Sequence, residues 1–121
     1  MKYMLLVHHD EEAWSQVSET DKDRALDESV RLTHQINATG QYLDASPLLP
    51  TSTARSVRVR DGRPFVTDGP FAETREQLAG YFLIEAKDVD EAIAIAERVP
   101  GARWGTVEVR PVREVAGLPR K

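Results

Sequence analysis

The chain has no cysteine and only three histidines. Any proton chemistry therefore falls to His, Asp, Glu and Tyr, and a thiol nucleophile is excluded. Two of the histidines, His8 and His9, are adjacent and close the first apolar run. Side chains alternate along a strand, so the two rings point to opposite faces. One of them is expected to line a pocket and to exchange a proton near neutral pH. Asp68 precedes Gly69-Pro70. It reads either as a turn carboxylate that accepts a backbone N–H or as a general base at a pocket mouth. Glu73, Thr74, Arg75 and Glu76 form a charged cluster. It reads as a solvated loop or as a lid whose Arg75 binds an anionic group, with Phe71 packed beneath. Tyr81 opens a second apolar run and offers its hydroxyl to a cavity or to a core partner. Adjacent histidines diverge, and there is neither Cys nor an H-x-H spacing, so no metal site and no cofactor is expected.

These groups sit in a chain of 121 residues, which points to one domain. Its bounds are expected at 1–112, with a tail, 113–121, that frays. Lys plus Arg is 16 and Asp plus Glu is 20, giving a net charge of −4. Arg55, Arg58, Arg60 and Arg63 are a local basic cluster, but without interleaved aromatics or a recognition helix. A nucleic-acid partner is therefore not expected. No apolar run approaches the ~20 residues of a membrane span, and no leader pattern follows Met1, so a cytoplasmic protein is expected.

The elements that must position the candidates can be read from periodicity. Residues 2–8 are continuously apolar and read as a strand buried on both faces. After a polar stretch, Ser18 or Thr20 caps a helix that runs to Thr39, with Gly40 as its stop. At 100° per residue, Ala25, Leu26, Val30, Leu32 and Ile36 share one arc. Ser29 and Thr33 fall in the middle of that arc, where Leu or Val is the ordinary choice. A short strand over 41–46 and a Pro-rich loop over 47–53 follow. SVRVR, Asp61-Gly62 and the segment after it then spell a β-hairpin. Residues 79–86 are a second buried strand. Asp88 with Glu91 caps a helix over 89–99, which Pro100-Gly101 ends, and 105–110 alternates as an edge strand.

Without the hairpin this order is βαββαβ, an α+β ferredoxin-like fold. Its first and third strands lie at the sheet centre, where the two apolar runs belong. Both helices pack on one sheet face. The other face is left apolar, which predicts a homodimer through packed sheet faces.

The stretch Asp68-Gly69-Pro70-Phe71-Ala72-Glu73-Thr74-Arg75-Glu76-Gln77-Leu78-Ala79-Gly80-Tyr81 resembles the signature of the YCII-related, or DGPF-type, proteins. The resemblance extends to Met1–Val7, to the Val57–Gly62 hairpin and to Val107–Val112. It implies a dimeric α/β barrel. It also implies a small-molecule pocket, since relatives in that superfamily include muconolactone-type isomerases, a chloromuconolactone dehalogenase and monooxygenases. An association of the family with sigma factors suggests an alternative, a non-catalytic ligand sensor or sigma-factor accessory. The chain departs from the pattern at Arg75, where the family has Lys, at Ala79, where it has Gly, and at His8-His9. A helix His thought to pair with an Asp in the shorter branch falls on Ser29 here. The resulting expectation is a cavity between sheet and first helix that holds a small acidic or lactone ligand. Ser29 and Thr33 line its wall, Arg75 holds an anion, and Asp68 with His9 or His8 moves protons in cofactor-free lyase, isomerase or dehalogenase chemistry.

Overall fold

A computed structural model describes residues 1–119. Strands β1 (Lys2–His9), β2 (Tyr42–Pro47), β5 (Gln77–Glu85) and β6 (Thr106–Pro111) form one antiparallel sheet in the order β2-β5-β1-β6. Between β2 and β5, strands β3 (Arg55–Arg60) and β4 (Arg63–Asp68) pair only with each other. The order places the two most apolar strands at the centre, in the topology of a ferredoxin-like α+β fold.

Helices α2 (Glu19–Ala38) and α3 (Val89–Ala96) cover one face of the sheet. Leu32 and Ile36 of α2 and Ala92, Ile95 and Ala96 of α3 join Tyr3, Leu5, Phe82 and Ile84 in the core. The opposite face is uncovered within the chain. Met4, Leu6, Tyr81 and Leu83 alternate with the core residues and remain partly exposed. The central strands are thus apolar on both faces but covered on one.

Local chemistry sets the helix ends. Ser18 Oγ accepts from Asp21 N at 3.1 Å, so α2 begins one residue before Thr20. Gly40 takes φ +77°, the left-handed stop that a residue without Cβ adopts freely. Asp88 Oδ1 accepts from Glu91 N at 2.9 Å, while Glu91 reaches back to Lys87 N rather than to the cap residue itself. The hairpin turn has positive φ at both Asp61 and Gly62, as a two-residue type I′ turn requires.

Two short helices interrupt stretches read as loop. Asp10 Oδ1 accepts from Glu12 N and Ala13 N and starts α1 (Glu11–Ser15). The second capped helix ends at Ala96 rather than Val99. Pro100, which lacks an N–H but fits a first helical turn, then opens α4 (Gly101–Trp104) instead of ending the helical path. Beyond β6 the ladder continues for one bond, Val112 N to Lys2 O at 2.9 Å. Residues 120 and 121 of the expected tail lie outside the described residues.

Candidate functional site

The small hydroxyl residues on α2 leave space against the sheet. A cavity of about 350 Å³ lies between α2, the helix-side face of the sheet and α4. Its walls include Ala25, Ser29 and Thr33 from α2, Val7 and Phe82 from the central strands, and Tyr42 and Ala45 from β2. Thr33 Oγ1 donates to Val30 O at 2.6 Å, the usual back-bond of a helical Thr. Ser29 Oγ has no partner among the described residues.

His9 enters from the end of β1. Its ring stacks on Trp14 of α1, centroids 5.3 Å apart and planes at 22°. Trp14 meets Trp104 of α4 edge to face at 5.6 Å, and Lys22 Nζ stands 5.9 Å from the Trp14 ring. All four line the cavity. They come from β1, α1, α2 and α4, so the mouth is built from four elements. α1 is tied down at its start, which fixes Trp14: Thr51 N donates to Glu11 Oε1 at 3.0 Å and Glu11 N donates to Gln77 Oε1 at 3.2 Å.

Burial lowers the pKa of His9 below the ordinary value of 6.5, against the opposing pull of Glu11, Asp10 and Glu76. A neutral imidazole at pH 7 is a proton acceptor. Lys22, from α2, adds a positively charged side chain to the lining. The arrangement therefore pairs a base with an anion-attracting group inside a mostly apolar space.

A sequence model of the YCII-related domain matches residues 1–116. The chain belongs to the YCII-related family. It is also 34% identical over 114 residues to an uncharacterized protein of Rhizobium meliloti (strain 1021), an alignment that covers 93% of this chain and 92% of that one. Among the described residues no helix is long and apolar enough to cross a membrane.

In this YCII-related chain the structure gathers only part of the set read from the sequence. His9, Ser29 and Thr33 meet at the cavity. Tyr81 borders it, but its hydroxyl donates away from the lining to Asp44 Oδ2 at 2.8 Å, a bond that raises the Tyr81 pKa. Asp68 ends the hairpin, exposed and paired with Arg55 at 2.8 Å, and is not part of the lining. Within one chain it is therefore no partner for His9. His8 faces the open side of the sheet, 3.2 Å from Glu108 Oε1. Phe71 is 77% exposed rather than packed under the loop. Arg75 lies outside the lining and 3.7 Å from Asp10 Oδ2. It reaches the site only indirectly, beside the residue that caps α1. Asp68, Phe71 and Arg75 share one reason: the hairpin and the loop after β4 leave the sheet instead of folding back over it.

Three contributors escaped the reading by type. Lys22, Ser29 and Thr33 are spaced i, i+7, i+11 and share a helix face, so the position of Lys22 was available from the wheel. Trp14 and Trp104 are the only tryptophans in the chain. Nothing local relates them, because their contact spans ninety residues of sequence.

Proposed function

We propose that the cavity binds a small, mostly apolar acid or lactone and that His9 moves a proton on it. The observation that carries this reading is the half-buried His9 held against Trp14, with Lys22 as the charged side chain among the described lining residues. Lys22 attracts the carboxylate or lactone oxygen, Ser29 hydrogen-bonds it, and the apolar walls orient the carbon skeleton. His9 takes a proton from the carbon next to the carbonyl. It returns that proton at a neighbouring position in an isomerisation, or keeps it while a leaving group departs in a lyase or dehalogenase reaction. Neither route consumes a cofactor. The uncovered face with Met4, Leu6 and Leu83 packs against the same face of a second copy.

The test is solvent exchange. A panel of small cyclic acids and lactones is incubated with the protein in deuterium oxide and followed by proton NMR. We expect deuterium at the carbon next to the carbonyl of the bound compound, slowed at least ~100-fold in His9→Gln, the lower range for removal of a general base. A compound that binds, by saturable shifts of tryptophan fluorescence, yet exchanges equally fast with both proteins removes His9 from the chemistry. Binding without any exchange moves the reading to the ligand-sensing alternative, whose sigma-factor partner is then sought by co-purification.

A further inference from the structure

A second cleft, of about 370 Å³, lies between α2 and the junction of α3 with α4. It shares no lining residue with the ligand cavity. One wall is Glu28, Arg31, Leu32 and Gln35 of α2, and the other is Arg98 and Arg103. Three arginines thus meet one carboxylate among the described lining residues. The chain as a whole carries a charge of −4, so the cleft inverts the overall charge locally.

Glu28, Arg31 and Gln35 are spaced i, i+3, i+7, which sets them in one row along ~10 Å of α2. The two ends of the row hold the arginines of the other wall. Arg103 Nη2 donates to Glu28 Oε2 and Arg98 Nη2 donates to Gln35 Oε1, both at 2.6 Å. The segment between those arginines is anchored by the buried side chains of Val99 and Pro100. A guanidinium has five N–H donors, so each of the two keeps most of its fork for another acceptor. Arg31 stands between the two ties and has no hydrogen-bond or ion-pair partner among the described residues. Asp27, one turn earlier on α2, lies outside the lining and does not pair with it. Surface ties between helices account for Arg98 and Arg103, although such pairs add little stability. They do not account for a third arginine placed between them, where like charges repel.

We propose that this cleft binds the phosphate group of a small polar molecule, with Arg31 as the central contact. A phosphate monoester carries a charge of about −1.5 to −2 at pH 7 and presents three strong acceptor oxygens. Each of the three guanidinium forks then has an oxygen to meet. A single carboxylate brings one charge and two oxygens, and leaves the third arginine unmet. Glu28 and Gln35 hold the outer two forks at the ends of the row, so Arg31 is the group a ligand completes. A space of this size holds more than a phosphate group. Its walls are polar apart from Leu32, which suits a hydroxyl-bearing body attached to the phosphate. The inference uses neither His9 nor the cavity read above as the site of proton transfer.

The test is a titration of the isotope-labelled full chain, followed by NMR shifts of backbone amides and arginine side chains. The probes are glycerol phosphate, inorganic phosphate and succinate, with sodium chloride at matched ionic strength as the screening control. We expect saturable shifts around residues 28–35 and 98–103, with a Kd for glycerol phosphate below ~1 mM. Arg31→Gln should weaken that binding at least tenfold. Arg31→Lys should weaken it less, since Lys keeps the charge without the fork. Arg31 makes no contact that either variant breaks among the described residues, so the amide spectrum away from the cleft should stay as in the native protein. Inorganic phosphate binding as tightly as glycerol phosphate overturns the polar body and leaves the free ion as the occupant. Succinate binding as tightly as both overturns the phosphate assignment. Shifts that chloride reproduces, that do not saturate, or that persist unchanged in Arg31→Gln overturn the site itself. None of these outcomes bears on the deuterium exchange assigned to His9.

Discussion

Ser29 stands where a helix packed on a sheet would ordinarily place Leu, and replacing it with Leu tests whether the space beside it is real. Ser29 Oγ has no partner among the described residues, so Ser29→Leu breaks no hydrogen bond. The new side chain adds three carbons in place of the hydroxyl. At ~0.8 kcal/mol per buried methylene that is at most ~2.4 kcal/mol, and roughly half of it applies at a half-buried position. Leu is a better helix former than Ser by about 0.3 kcal/mol. Fixing its rotamers costs about 0.5 kcal/mol. The expected net is a gain of about 1 kcal/mol, because the extra volume enters an existing cavity of about 350 Å³ rather than a packed core. In urea unfolding the midpoint should rise with the slope unchanged, and thermal unfolding should shift upward by ~4 °C. The same variant should lose ligand binding and His9-dependent exchange, since the isobutyl group occupies the ligand's place. A loss of more than about 1 kcal/mol would show overpacking and would falsify the idea that α2 stands off the sheet there.

His9 should titrate, by the NMR shift of its ring protons, with a midpoint below its ordinary 6.5, because burial opposes its charged form. The unfolded chain then binds the proton first, so the folded state loses stability as pH falls from 6.5 toward the lowered value, and His9→Gln should lack that component of the pH profile. Gly105→Ala should destabilise by about 2 kcal/mol or more in denaturant, since a Cβ there would run into the His8 carbonyl oxygen at the end of β1; a neutral result would mean that the β1–α4 junction is looser than described. Asp88→Ala removes the cap on α3 and should cost about 1 kcal/mol of stability while leaving ligand binding unchanged, and an equal loss of binding would tie α3 to the site.

What could be read from the sequence follows the range of the interactions involved. The central strands, the capped helices and the Asp61-Gly62 turn are written in residues within one turn or one pair of neighbours, and the structure places them within a residue or two, save for the end of α3, which stops three residues early. The polar gap in the α2 arc was legible for the same reason, because Ser29 and Thr33 are conspicuous against Leu32 and Ile36. By contrast, α1 rests on a single Asp10 cap in a polar stretch with no periodic apolar residue to announce it. The direction in which a hairpin leaves a sheet is set by tertiary packing, so nothing in SVRVRDG showed that Asp68 would end on an exposed arm paired with Arg55. The same logic separates the two histidines. Alternation predicted that they diverge, but only the arrival of Trp14 and Trp104 from distant segments decides which ring is enclosed. The His8 ring, on the open face beside Glu108, has the polar neighbour. The His9 ring has the aromatic wall and the lowered pKa. Burial disfavours the charged form of His9, and a ligand that brings negative charge beside it favours that form. Proton uptake at His9 and anion binding at Lys22 should therefore be one coupled event.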